Sequence, residues 1–334
     1  MSIGVAVTGL GIGEQHARAY MADARAKLLW LHDLDKSRAE RLAGELRGAR
    51  VAPGYEAVLA DPAVNVVSIA SFDAAHFGQA RDALRAGKHV FVEKPLCTTQ
   101  DELAELKGLW SSAAGRLHIG SNLVLRTAAV YRWLKRAVDS GELGTLFAFD
   151  GDYLYGRLQK ITEGWRSTEQ DYSVMLGGAI HLIDLMLWLT GQRPVRASAV
   201  GNRISTADSG FRYDDYRAAT LEFESGLVAR ISANFGSVHK HQHVLRVFGT
   251  EGTFLYDDAG ARLHASRDPA QAARRLDEAA LPAGKGLLIP AFLDAISGKT
   301  DYRAETQSFF DGISICLACD RAAAARRTET IQYV

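Results

Sequence analysis

Charge of one sign, cysteine and long apolar runs are what this chain of 334 residues has little of. Its 39 Lys and Arg stand against 39 Asp and Glu, so no excess points to nucleic acid or to an anionic membrane surface. Three cysteines cannot build a disulfide framework, and Cys316 and Cys319, although spaced Cys-x-x-Cys, belong to an apolar stretch that reads as core helix. The longest apolar run, around residues 179–190, carries His181 and Asp184 and is too short and too polar to span a bilayer. A strand pattern begins within three residues of Met1, which leaves no room for a signal or transit peptide. Internal repeats, low-complexity segments and long linkers are also missing. These absences lead us to expect a reduced, cytoplasmic protein, long enough for two domains that each have a core.

What is present changes character near residue 120. Residues 1–120 alternate short apolar strands with amphipathic helical stretches. The strands are expected at Ile3–Thr8, Leu28–His32, Val64–Ala70, His89–Val92 and Leu117–Gly120, with helices such as Lys36–Leu46 and Phe77–Ala86, the latter closed by Gly87. Such alternation implies βαβ units and a parallel sheet covered on both faces. After a helix near Ala128–Asp139, strands follow one another with hairpin signals at Ser225-Gly226 and Glu251-Gly252. Ile231, Ala233 and Phe235 alternate with Arg230, Ser232 and Asn234, the period of two that gives one apolar and one polar face. The expected fold class is an α/β dinucleotide-binding domain over 1–120, followed by an α+β domain over 121–334 with an open, mainly antiparallel sheet. A face of that size pairs readily with another subunit, so a homo-oligomer is expected. Polar stretches at Arg157–Tyr172, Arg203–Tyr213 and Ser266–Gly286 are candidate substrate lids or subunit contacts.

Three groups of residues carry chemistry. The first strand runs into Gly9-Leu10-Gly11-Ile12-Gly13, a turn that lets backbone N–H groups approach a pyrophosphate at a helix N-terminus. It is one residue shorter than the usual Gly-x-Gly-x-x-Gly, with Gly9 for the tight turn, Gly11 for the close approach and Gly13 for helix packing. Asp33 ends the second strand, 24 residues after Gly9, where an acid bonds the adenosine ribose hydroxyls and favours NAD over NADP; Lys36 and Arg38 nearby leave the phosphorylated cofactor open. The second group is Glu93-Lys94-Pro95, directly after a buried strand, which would set Lys94 at the carboxyl edge of the sheet where open α/β sheets bind ligands. The third is His181 and Asp184, three apart and so on one side of an otherwise apolar helix. Histidine there suits general acid–base work, although a buried His–Asp pair also serves structure.

Together these residues resemble the glucose–fructose oxidoreductase, inositol dehydrogenase and MocA family over nearly the whole chain. The resemblance runs from the Gly9 turn with His16, through Asp33, Ser68-Ile69-Ala70 with His76, Gly87-Lys88-His89-Val90 and Glu93-Lys94-Pro95. It continues through Asn122, Arg126 and Ser140-Gly141-Glu142-Leu143-Gly144 to His181-x-x-Asp184. It implies a Rossmann domain, an open-sheet domain and hydride transfer between NAD and a secondary alcohol or ketone of a sugar, cyclitol or nucleotide sugar. By resemblance, Lys94 and His181 are the catalytic residues. Asp184 and Arg126 are expected to bind substrate, and Trp165 and Tyr153 are candidates to line the pocket because aromatic faces suit a polyol. Gly9, Gly11, Ile12, Gly13, Asp33, Ser71, His76, Glu93, Lys94 and Asn122 bind the cofactor. A homodimer or homotetramer through the C-terminal sheet is implied, and no metal.

One departure stands out. Many members carry an aspartate four residues before the histidine, where this chain has Gly177. Either His181 handles the proton alone, or Asp171 or Tyr172 substitutes, or the usual step is lost. The last case would leave a dinucleotide- and sugar-sensing relative; a redox-neutral NAD-retaining glycosidase is a further alternative. Around the substrate, Tyr155, Arg166 and the run His239-Lys240-His241-Gln242-His243 are also candidates. The alternating histidines share one strand face, a geometry open to zinc, but read here as an exposed polar strand end.

Overall fold

The computed structural model describes residues 2–169 and 171–334. The chain forms two compact units. The first comprises residues 1–124, 282–310 and 334, and the second 125–281 and 311–333. A simple division at 120 does not provide for the return of 282–310 to the first unit. The physical reason is apolar cover. The helix Ile289–Ile296 lays Phe292, fully buried, against Phe91 and against Gly120, and Thr306 bonds the carbonyl of Ile119 at 2.9 Å.

In the first unit six parallel strands stand in the order β3-β2-β1-β4-β5-β6. They are β1 (Ile3–Thr8), β2 (Ala26–His32), β3 (Arg50–Val51), β4 (Val66–Ile69), β5 (His89–Val92) and β6 (Ile119–Ser121). Val5, Ala6, Val7, Val66, Val67, Val90 and Phe91 are wholly buried, as expected for strands covered on both faces. The first helix, α1 (Gly13–Met21), follows β1 directly. The strand order reverses between β1 and β4, so the Gly9 turn lies at the switch point where such sheets take ligands. Local signals fix the helix starts: Asp35 accepts from the N–H of Ser37, and Thr99 with Glu102 forms a capping box. Gly87 ends the helix Asp73–Arg85 at φ +72°.

The second unit carries a nine-stranded sheet. Its strands are β7 (Leu146–Leu154), β8 (Pro194–Asn202), β9 (Tyr216–Phe223), β10 (Val228–Asn234), β11 (Gln242–Gly249), β12 (Thr253–Asp257), β13 (Gly260–His264), β14 (Arg274–Leu276) and β15 (Glu329–Thr330). They stand in the order β14-β13-β12-β11-β7-β10-β9-β8-β15, with β7 and β10 parallel and the other pairs antiparallel. Phe149, Ile231, Ala233 and Val247 point to a buried face, where Leu182 of the helix α2 (Ile180–Thr190) reaches 3.1 Å from the Cβ position of Gly151. On the opposite face Asp152 accepts from Ser232 at 2.7 Å and faces Arg230 and Arg246 at 3.3 and 3.2 Å. Both hairpins expected from Ser225-Gly226 and Glu251-Gly252 are present. Cys316 and Cys319 are buried in the helix Arg303–Ala325, and burial pushes both thiols up. Among the described residues no helix is long and apolar enough to cross a membrane.

Candidate functional site

At the mouth of β1 each glycine has a separate steric reason. Gly9 sits at φ +77°, and a Cβ there would strike the backbone of Ala70 and Ser71. Gly13 brings α1 close to the sheet, since its Cβ would lie 3.1 Å from Val7 and 3.3 Å from Ala70. Gly11 faces open space, with nothing within 4 Å of its Cβ position, and Ile12 beside it is 40% exposed. Asp33 holds this loop: one carboxylate oxygen accepts from the Leu10 N–H at 2.6 Å and the other from the Asp35 N–H at 2.8 Å. Each oxygen keeps a further lone pair for a ribose hydroxyl. Arg38 lies 3.6 Å from the same carboxylate. An uncovered glycine backbone, a helix N-terminus and an acid at the end of β2 fit the pyrophosphate and ribose of a dinucleotide.

Behind Lys94 lies a buried polar relay. His16, wholly buried, has Nδ1 3.0 Å from the Ser68 hydroxyl and Nε2 3.4 Å from Glu93. The Asn122 amide donates to Glu93 at 2.6 Å and sits 3.2 Å from His16 Nε2. Burial works to raise the Glu93 pKa, but the hydrogen bond and charge of His16, the Asn122 amide and the Lys94 charge outweigh it and bring it down to about 2. The carboxylate before Lys94 is thus fixed in place and ionised. His76 is also wholly buried, with Nδ1 2.7 Å from the Pro95 carbonyl and Nε2 3.1 Å from that of Ser71. It ties the end of β4 to the turn after β5. Ser71 donates its hydroxyl to Gln79 at 2.7 Å. His16 and Ser68 were not singled out as site residues from the sequence; the available signal was a histidine one turn into the helix after a glycine loop.

In the second unit a π-helical turn, Met175–Ala179, leads into α2. Such turns recur at functional sites. Its two glycines are each covered by a tyrosine. A Cβ at Gly178 would lie 2.5 Å from the Tyr153 ring, and one at Gly177 would collide with the hydroxyl of Tyr172 and lie 2.8 Å from its Cζ. Tyr153 stacks on His181 at 6.2 Å between ring centres and meets Phe235 at 5.6 Å. His243 is the cross-strand partner of Tyr153 and turns its ring edge-on to both Tyr153 and His181, at 5.2 and 5.9 Å. His241 packs 4.8 Å from His243 and 5.3 Å from Tyr153.

The reading of this run as an exposed strand end is therefore corrected for His241 and His243. The alternation that suggested zinc places both on the helix-facing side, where Tyr153 and Tyr155 cover them. His239 is held instead by Asp258 at 2.9 Å, and among the described residues no three ligating groups converge on a metal position.

Asp184, almost fully buried, takes Arg126 as a two-pronged partner at 2.9 and 2.5 Å. Burial pushes its carboxyl pKa up and the Arg126 charge opposes that shift. These two residues are brought together with each other. Trp165, half-buried in the short turn Trp165–Thr168, lies under the guanidinium of Arg166 at 4.3 Å. Burial, reinforced by Tyr155, pushes the Tyr153 phenol up, while Arg157 and Arg166 pull against it. A histidine bounded by phenols and a second imidazole can hold a hydroxyl and move its proton, and aromatic faces suit a polyol.

Comparison with known proteins agrees with this architecture. Residues 3–121 match the model of the oxidoreductase family with an NAD-binding Rossmann fold, and residues 131–255 match the GFO/IDH/MocA C-terminal domain. Inositol 2-dehydrogenase 2 of Saccharopolyspora erythraea is 30% identical over 239 residues, 69% of this chain and 66% of that protein. Inositol 2-dehydrogenase of Acidothermus cellulolyticus is 28% identical over 98% of this chain and 94% of its own length. Among solved structures, myo-inositol 2-dehydrogenase from Lactobacillus plantarum superposes with a TM-score of 0.79 at 23% identity, covering 99% of this chain and 100% of that one. Levoglucosan dehydrogenase in complex with NADH superposes at 0.85 and 21%, with both chains fully covered. The chain belongs to the GFO/IDH/MocA family and is an NAD-dependent oxidoreductase.

Proposed function

We propose that this oxidoreductase acts on a secondary alcohol, or the matching ketone, of a cyclitol, sugar or nucleotide sugar. The observation that carries the reading is the enclosed group of Tyr153, His181 and His243, apolar ring faces with polar tips around one imidazole. Relatives named inositol 2-dehydrogenase and UDP-N-acetylglucosamine 3-dehydrogenase point to the same substrate class. We assign cofactor binding to Gly9, Gly11, Ile12, Gly13 and Asp33, with Ser71, His76, Glu93, Lys94 and Asn122 shaping the strand ends beyond. NAD, when bound, supplies a hydride acceptor at the nicotinamide C4. Lys94, with the ionised Glu93 beside it, holds the reacting hydroxyl. His181 takes the O–H proton as the carbinol C–H electron pair leaves with the hydride and the C–O bond becomes double. Tyr153, Trp165, Asp184 and Arg126 complete the substrate contacts, the last two as an ion pair. Three buried thiols suit a reducing cytoplasm, and the charged open face of the sheet supports a homodimer or homotetramer.

The test is Lys94→Ala, assayed by NADH absorbance over a panel of myo-inositol, scyllo-inositol, levoglucosan and UDP-N-acetylglucosamine. Turnover should fall at least about a hundredfold while NADH affinity stays within about twofold, the split expected for a residue that holds the reacting hydroxyl and adds little to the grip on the cofactor. Turnover retained in the variant would sink the Lys94 assignment.

A further inference from the structure

Glycine at 177 leaves a space, and the structure shows what fills it. All three atoms nearest to the Gly177 Cβ position belong to Tyr172, with the hydroxyl nearest and Cζ at 2.8 Å. Gly177 does not need left-handed backbone, so what a side chain there would first meet is Tyr172. Position 177 precedes His181 by four residues, one turn back on the path into α2. Of the two upstream candidates weighed from the sequence, Asp171 is exposed, whereas the hydroxyl oxygen of Tyr172 is shielded from water. The ring is held edge-on by Phe211 at 5.7 Å and Phe235 at 6.1 Å, and Phe235 in turn packs on Tyr153, the ring that stacks on His181. Both glycines of the π-turn thus admit a phenol, Tyr153 over 178 and Tyr172 over 177.

We propose that the Tyr172 hydroxyl occupies the side-chain place of residue 177 and is the second polar group, beside His181, that positions the reacting hydroxyl of the substrate. The inference rests on the sugar or cyclitol dehydrogenase reading and deepens it. A phenol gives both a donor and an acceptor, so it can orient a substrate hydroxyl toward His181 without itself carrying charge. In the arrangement seen, the Tyr172 ring and a side chain at 177 claim the same place, and one would have to move to admit the other. Gly177 is then the complement of where Tyr172 sits and not the loss of a function.

The experiment uses the full-length protein with NAD and the most active of the four probes. Tyr172→Phe keeps the ring contacts with Phe211 and Phe235 and removes only the hydroxyl. Its kcat should fall about tenfold or more, with KM within about twofold and NADH affinity unchanged. Tyr172→Ala should be slower still, and Tyr172→Ala/Gly177→Asp should regain part of that loss, because a carboxylate now reaches the vacated place. Wild-type kcat in Tyr172→Phe, a change confined to KM, or no recovery in the double variant over Tyr172→Ala each overturns the proposal while leaving the dehydrogenase reading intact. Wild-type protein that turns over none of the probes overturns that reading, and the role of Tyr172 falls with it.

Discussion

Asp184 illustrates how a residue type is legible while its partner is not. The sequence places it on one side of a helix with His181 and marks it, by resemblance, as a substrate group. The structure shows Arg126 closing on it with two hydrogen bonds in a site shielded from water. Removing the carboxylate charge takes from a largely desolvated guanidinium the buried partner that holds it by two hydrogen bonds. Asp184→Asn should therefore cost about 3–5 kcal/mol in urea denaturation, whereas Arg126→Met/Asp184→Leu should cost much less. A variant Asp184→Asn within about 1 kcal/mol of wild type would show that the pair is not structural. His243 shows the converse. Its alternation with His241 is visible, but a polar residue on a strand gives no sign of which sheet face is covered. The register opposite Tyr153 decides that, and register is set over long sequence separation.

Strands and turns divide along the same line. The continuous apolar runs of β1, β4 and β5, and the glycine that ends a helix, express local physics and are readable. Two elements are not. Strand β3 is two residues long and has no alternation to detect, and the π-turn at 175–179 has Gly178 covered by Tyr153, a strand residue whose approach no local pattern announces. The junction of β5 and β6 carries a testable acid sensitivity. The His118 N–H donates to His89 Nδ1 at 3.1 Å, and the two rings stack at 5.3 Å. Burial, reinforced by the neighbouring His118, brings the His89 pKa down to about 4 from an ordinary value of 6.5. The folded state then binds fewer protons than the unfolded chain between those values. Stability contributed by this group is complete above about pH 6.5 and is lost as pH falls toward 4. Unfolding free energies of wild type from denaturant titration at pH 7 and 4.5 should differ by about 1 kcal/mol more than those of His89→Asn, the full shift being reduced because the residue is partly exposed. Equal pH slopes would remove His89 as the sensor.

At the scale of the whole molecule the nine-stranded sheet sets the remaining expectation. Its open face has a central charged network of Asp150, Asp152, Arg230 and Arg246, flanked by Val228, 45% exposed, and Val200, 70% exposed. Charges already paired within the face, beside exposed valines, leave a face that a second copy of the chain could cover. Val200→Glu/Val228→Glu should convert the assembly to monomer in light scattering, with the melting temperature of the protomer little changed. A wild-type protein that already scatters as a monomer would refute assembly through the sheet.

The helix Ile289–Ile296 has a consequence for biosynthesis. Phe91 and Gly120, laid down within the first 120 residues, wait for Phe292 to cover them. Burying such a ring contributes about 2–3 kcal/mol, a sizeable fraction of what holds a domain together. On the ribosome, then, the dinucleotide unit emerges first but cannot close its core when its strands emerge. That core waits until the whole intervening segment, residues 125–281, has been synthesised, and the second unit waits in turn for residues 311–333, so the two units are completed close together, near the end of translation.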